Sequence, residues 1–297
     1  MHPGSLSLDA FLNRRSADRR LARLTHDIVL PEARGLEFGP GTNPTPLPEG
    51  LSVAYVDHAA APPDAPPGTA PVDHVWAGSG PLAAVLDRTG HDFAIAAQVA
   101  QYVPNLLGWF RGIHAVLRPG GVLNLSLPDR RFMFDVARRE STIAELVEAD
   151  LLAYARPSPR QVFAHTYEAR AVEPAAIWAG EDPAGAPRLC GEAALALARL
   201  RATEALDPER TLDCHCWVFT PLSFLDVIEE AVRLGLFPFV FNQIAGTEPG
   251  GFEFFVSMRR DAEEDPDALR GLQTGAIGHL RGILERQRRT ARLLAGA

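Results

Sequence analysis

Residues 36–44 read LEFGPGTNP, and the fold turns on how these residues divide between strand and turn. RGLEF (34–38) is a short apolar run of the kind that forms a buried strand. It breaks off at Gly39, Pro40 and Gly41, so two glycines lie at a strand's carboxyl end, where a missing Cβ lets the backbone approach a ligand. LSVAYVDH (51–58) alternates like a second strand and ends in Asp57 and His58. Asp57 thus stands beside the glycine turn as an acceptor for ribose hydroxyls. A dinucleotide fingerprint would place a third glycine where this chain has Pro44, so that a helix starts at once and its N-terminus meets a pyrophosphate. Pro44, Pro46 and Pro48 forbid a regular helix there. The turn suits a ligand with ribose and adenine but no phosphate.

Outward from this stretch the chain alternates at short spacing. An Ala/Pro-rich linker (59–71) leads to a third strand, VDHVWAG (72–78), and a short helix, PLAAVLDR (81–88). HDFAIAAQ (91–98) reads as a strand, PNLLGWFRGIHAVLR (104–118) as a helix, PGG (119–121) as a turn and VLNLSLPD (122–129) as a strand. Such alternation predicts a parallel sheet with helices on its faces and ligands outside the strands' carboxyl ends. The positions of interest are therefore Gly39 to Asn43, Asp57, Trp76 to Gly78, Gln98 and Asp129. From 130 to 210 the pattern becomes helical and proline-broken, an insertion over the sheet edge. TLDCHCWVF (211–219) reads as a returning strand, 220–235 as a helix with Thr220 as N-cap and Pro221 at its first position, and 236–245 with 251–260 as an antiparallel pair. Residues 5–24 read as one helix. The expected class is α/β, a Rossmann-like, doubly wound, mostly parallel sheet with an antiparallel last strand and a helical insertion. Its parts are an N-terminal helical segment (1–33), the α/β domain (34–129 and 211–260), a cap (130–210) and a C-terminal helix (261–297).

The chain has 297 residues, 46 % hydrophobic and 22 % charged, the balance of an ordinary globular protein. A net charge of −8 argues against a general nucleic-acid partner. No apolar run approaches the roughly 18 residues of a membrane span, and no signal-type stretch opens the chain, so a cytoplasmic address is expected. All 29 basic residues are arginine. The absence of lysine excludes a GxxxxGK[ST] phosphate loop and any lysine Schiff base. Three cysteines (Cys190, Cys214, Cys216) are too few for a disulfide scaffold. Cys214 and Cys216 flank His215, but neighbours on a strand point to opposite faces, and no metal site is expected.

LEFGPGTNP, YVDH, IAAQVAQYVPN (95–105) and VLRPGGVLNLSLPDRRF (116–132), in that order and spacing, resemble class I S-adenosylmethionine-dependent methyltransferases with a GPGTNP-type first motif. The resemblance covers 34–132 well and 211–260 moderately. It implies S-adenosyl-L-methionine as cofactor and a small-molecule acceptor. By it, Glu37, Gly39 and Gly41, in the stretch Glu37, Phe38, Gly39, Pro40, Gly41 and Asn43, surround the methionine part. Asp57, with His58 beside it, would hold the ribose; Trp76, Ala77 and Gly78 would flank the adenine; Gln98 would lie near the sulfonium. The sequence departs from relatives by placing Ala77, Gln98, Gln101 and Tyr102 where ionisable groups are common. A catalytically inactive, methyltransferase-like binding or scaffold protein is the alternative those neutral residues keep open, and a nucleotide-dependent oxidoreductase is disfavoured by Pro44.

Displacement at a sulfonium is accelerated chiefly by alignment, and a hydroxyl acceptor gains further from a general base. His165 and His215 are the candidate bases, with Asp213 two residues from His215 and on the same face if the segment is a strand. Structural roles for both histidines stay open. Asp129 and Arg130 at the fifth strand's end, with Tyr102, are candidates for holding the acceptor, and Arg130 suits a carboxylate or phosphate. A homo-oligomer is a further possibility.

Overall fold

The computed structural model describes residues 5–295 except 31 and 211. Seven strands, β1 (Arg34–Phe38), β2 (Ser52–Asp57), β3 (His74–Val75), β4 (His91–Ala97), β5 (Leu117–Pro128), β6 (Val240–Ala245) and β7 (Glu253–Arg259), form one sheet in the order β3-β2-β1-β4-β5-β7-β6. β1 to β5 are parallel, and β7 runs antiparallel to both β5 and β6. This is the α/β class expected, with the antiparallel pair at 236–260 in place.

Nine α-helices accompany it among the described residues: α1 (Leu8–Ala17), α2 (Arg19–Leu24), α3 (Leu106–Val116), α4 (Ile143–Leu151), α5 (Pro159–Glu168), α6 (Pro174–Trp178), α7 (Ala194–Glu204), α8 (Pro221–Arg233) and α9 (Pro266–Ala295). Successive residues of a strand face opposite ways, and the two faces here are covered differently. Leu36 and Phe38 of β1, Ala94 and Ala96 of β4, and Leu123, Leu125 and Leu127 of β5 join α3, α8 and α9 in the larger apolar core. Phe93, Ile95 and Val122 face a smaller core with Phe11, Leu21 and Leu24. No helix joins β1 to β2 or β2 to β3, as the prolines dictate, so α1 and α2 supply the second face from the N-terminus. Asn124, fully buried on that face, donates to the carbonyls of Leu24 and His26 (3.1 and 2.7 Å) and ties α2 to the sheet.

Several elements differ from expectation. The helix expected over 5–24 is two, because Asp18 turns extended and accepts the Leu21 N–H as the N-cap of α2. The third strand is only two residues long, and 81–88 holds only a 3₁₀ turn at Leu82–Ala84. β5 begins before the PGG stretch rather than after it, with Gly120 at φ +79°. The strand expected over 211–219 is absent among the described residues: the segment forms no ladder and pairs with the sheet only through an Asp129–Phe219 bridge. It runs across the strand ends instead, where Cys216 N–H donates to Gln101 O (2.7 Å) and the Trp217 indole N–H donates to Val103 O (2.6 Å). The terminal helix buries Ile277, Leu280 and Leu284. No helix of the described residues is long and apolar enough to cross a membrane.

Leu24 is 1 % exposed and Leu12 is 46 % exposed. Leu24→Ala is expected to lower unfolding free energy by about 2–5 kcal/mol, and Leu12→Ala by less than about 0.5. Urea denaturation of both variants checks this, and comparable losses would contradict the packing of α2 on the sheet.

Candidate functional site at the strand ends

The carboxyl ends of β1, β2 and β3 open into a cavity of about 500 Å³, within the roughly 300–1,000 Å³ usual for ligand pockets. Gly39 leaves β1 at φ +55°, its N–H donating to Val56 O (2.9 Å). A Cβ there would stand 2.7 Å from a Val99 methyl, so the turn accepts no side chain without movement. Asp57 ends β2, and its carbonyl accepts the Trp76 N–H (2.8 Å), which sets the segment from Trp76 to Gly78 in place. Trp76 is buried against Phe38 and packs over Gly112 of α3, where a Cβ would fall 2.8 Å from the indole. Gly78, at φ +78°, faces Val103.

The Asp57 carboxylate lies in the cavity wall. Its Oδ1 accepts from the His58 N–H and contacts His58 Nδ1, both at 2.7 Å, while Oδ2 has no partner among the described residues. The hydrogen bond with Asp57 raises the His58 pKa. Of the residues expected to hold a cofactor, the cavity is lined by Phe38, Gly39, Asp57, His58, Trp76, Ala77 and Gly78, and of those expected to hold an acceptor by Tyr102. The opposite wall comes from the cap and the segment after it, through Ala155 to Pro157, Pro208, Arg210 and Leu212 to Cys214.

Glu37, Pro40, Gly41 and Asn43 are not part of this wall. Glu37 projects from the other face of β1 and is 2 % exposed. Its Oε1 accepts the Thr45 N–H (2.7 Å), Oε2 is buried without a partner, and burial pushes the carboxyl up to about 7. Asn43 lines a separate recess of about 360 Å³ with Thr45, Arg14 and Arg20.

Three expectations are corrected. Gln98 sits at φ +59°, and its side chain donates to Glu253 on β7 (2.9 Å), outside the cavity. Asp129 is fully buried and forked by Arg131, with the Thr247 hydroxyl donating to it at 2.7 Å, so its charge is spent within the fold. Arg130 turns to the Val136 carbonyl and lines no part of the cavity. The histidines also depart from the expected arrangement. Asp213 lines the cavity, whereas His215 turns away to Asp135 (Nδ1 to Oδ2, 2.6 Å).

Asp135 was not legible in the sequence, lying 80 residues from His215 in a 3₁₀ turn after β5. Burial raises its pKa, but the hydrogen bond with His215 and the Arg138 guanidinium at 2.8 Å outweigh that and hold it below the usual carboxylate range. His165 Nδ1 accepts the His215 N–H (3.3 Å), and burial pushes His165 down to about 4. Neither histidine lines the cavity; His215 lies edge-on against Tyr102, with ring centroids 4.8 Å apart, and so supports the wall from behind. Among the described residues no group of three or more His, Cys, Asp and Glu is placed to hold a metal ion.

No known protein family matches the sequence, and no curated protein matches it. Solved structures do. A carbon methyltransferase named CurJ is 12 % identical over 86 % of this chain and 56 % of that one, at a TM-score of 0.39, so the chain spans little more than half of it. An S-adenosylmethionine-dependent methyltransferase from Mesorhizobium loti is 16 % identical, covering 82 % and 96 % of the two chains, at 0.40. A protein from Rhodobacter sphaeroides named for zinc-dependent alcohol dehydrogenases is 15 % identical, covering 82 % and 90 %, at 0.46. Likeness of this depth leaves the reaction to be argued from the chain's own residues.

Asp135 is expected to stabilise the fold only while ionised, since its folded pKa lies below the unfolded value. That stability is present above about pH 4 and is lost as pH falls through the depressed folded value. Asp135→Asn should therefore lower the unfolding free energy from urea denaturation at pH 7 by up to about 3–5 kcal/mol, as for a broken buried pair. The gap to wild type should narrow below pH 4, and a gap independent of pH would contradict the assignment.

Proposed function

We propose that the chain is an S-adenosylmethionine-dependent methyltransferase acting on a small-molecule acceptor held between the strand ends and the cap. One observation carries this reading. The cavity brings Gly39, Asp57 and Trp76 to Gly78 together at three adjacent strand ends, yet no helix follows β1. A dinucleotide site needs that helix N-terminus for its pyrophosphate. Its absence leaves a place for an adenosyl group whose remainder carries no phosphate.

The residues present fit that cofactor. Gly39 brings bare peptide to the cavity wall, and the partnerless Oδ2 of Asp57 suits ribose hydroxyls. When bound, S-adenosylmethionine supplies a methyl group already activated on sulfur. The chain's own task is positioning, a term worth about 7–11 kcal/mol in well-aligned reactions. Phe38, Trp76 and Trp109 form an apolar bed for adenine, with Phe38 and Trp109 edge-to-face at 5.6 Å. Tyr102, Pro157, Leu212 and Cys214 cover the side from which an acceptor would approach and exclude water there. His165, neutral at pH 7 through burial, is a weak base, and we assign His165 and His215 to positioning Tyr102 rather than to proton transfer. Asp213, facing the cavity beside Tyr102, is the titratable side chain we place nearest the acceptor.

Isothermal calorimetry with S-adenosylhomocysteine and with NAD tests the reading. The adenosyl thioether is expected to bind in preference to NAD, and Asp57→Ala to weaken it about 10- to 100-fold by loss of charge-assisted hydrogen bonds. Preference for NAD, or indifference to Asp57→Ala, overturns the proposal.

A further inference from the structure

The cap of residues 130–210 is rich in arginine, and most of these guanidinium groups are committed. Arg131 holds Asp129, Arg138 holds Asp135, and Arg139 and Arg160 both hold Glu145. Arg130, Arg170 and Arg188 donate to the carbonyls of Val136, Ala186 and Tyr167. Arg156 is different: it is exposed, has no partner among the described residues, and lines the cavity. Arg210 also lines the cavity, and its one acidic neighbour, Glu204, is 3.9 Å away, too long for a hydrogen bond. Arg199 on α7 is likewise uncommitted but lies away from the cavity.

These two arginines come from the cap side of the cavity, whereas the glycine turn, Asp57 and Trp76 to Gly78 come from the sheet side. Because the chain has no lysine, a guanidinium is its only permanently charged donor. Its planar fork matches the oxygens of a carboxylate or phosphate; Arg156 has no acid partner among the described residues to give up, and Arg210 gives up only its 3.9 Å ion pair with Glu204. The wall beside them carries Tyr102, Pro157 and Leu212, with the Asp213 carboxylate next to Tyr102.

We propose that Arg156 and Arg210 form the specificity subsite of the cavity and that the acceptor is a small molecule carrying an apolar body and an oxyanion group, a carboxylate or a phosphate. This rests on the methyltransferase reading for the word acceptor, but the oxyanion subsite is a property of the cavity alone. Arg130, which the sequence offered for that role, is consumed by the fold, and the anion-binding function passes to two residues about 26 and 80 positions further on.

Benzoate, phenyl phosphate and the neutral isostere benzamide are the probes, each titrated calorimetrically into the full chain, with and without saturating S-adenosylhomocysteine. Benzoate or phenyl phosphate is expected to bind at least about tenfold tighter than benzamide, and the stronger of the two identifies the oxyanion. Arg156→Ala/Arg210→Ala should remove that preference while leaving benzamide and S-adenosylhomocysteine affinities unchanged. Both side chains are exposed, so the variant is expected to keep the wild-type unfolding midpoint, and the conservative Arg156→Lys/Arg210→Lys variant should restore part of the anion affinity. Equal affinity for benzoate, phenyl phosphate and benzamide, or anion binding that survives the alanine variant, overturns the subsite. Failure of S-adenosylhomocysteine to bind while the anion preference persists overturns the cofactor reading and leaves the subsite standing.

Discussion

The site depends on a steric constraint at Gly39. Its backbone is left-handed, and the volume a Cβ would occupy is taken by a Val99 methyl group 2.7 Å away. The chain must leave β1 there and, with prolines at 40, 44, 46 and 48, cannot enter a helix. The strand end is left uncovered on the cavity side as a result, and bare peptide is presented where other sheets of this class present a helix N-terminus. The same missing crossover helix would also expose the second face of the sheet, which α1 and α2 cover by packing Phe11, Leu21 and Leu24 on Phe93 and Ile95. Ligand choice and N-terminal docking thus follow from one turn.

The opposite wall is built differently. Residues 212–218 make no ladder and are held by isolated bonds, the Trp217 indole to Val103 O and Cys216 N–H to Gln101 O. These bonds pin the segment to the loop after β4, so Tyr102 and Cys214 meet across the cavity. Behind them, Asp135 is buried between the Arg138 guanidinium and the His215 imidazole. Such clusters add little stability compared with an apolar core and cost much when one member is removed; this one holds the cap to the segment that closes the cavity.

Much of the sheet was readable because strand length, alternation and punctuation act locally. RGLEF, SVAYVD and HDFAIAA became β1, β2 and β4 within a residue, and Thr220 capped α8. The sequence missed the state of 211–219, because an apolar, β-branched and aromatic run is equally suited to a ladder and to an extended segment buried by tertiary contacts. That error misplaced Asp213 relative to His215 and hid Asp135. Gln98, Asp129 and Arg130 were placed at the right strand ends, but a strand-end address does not say where a side chain turns, and all three turn to partners within the fold.

The amino-acid sequence alone determined the class of sheet, the helix-free turn after β1 and the acid at the end of β2, since each rests on backbone freedom and short-range pattern. Tertiary structure alone decided which charges stay uncommitted. Arg131 and Arg156 are the same residue type in the same cap, yet one neutralises a buried carboxylate and the other stands at the cavity without a partner among the described residues. Pairing is a matter of distance in the folded molecule, and no local pattern encodes it.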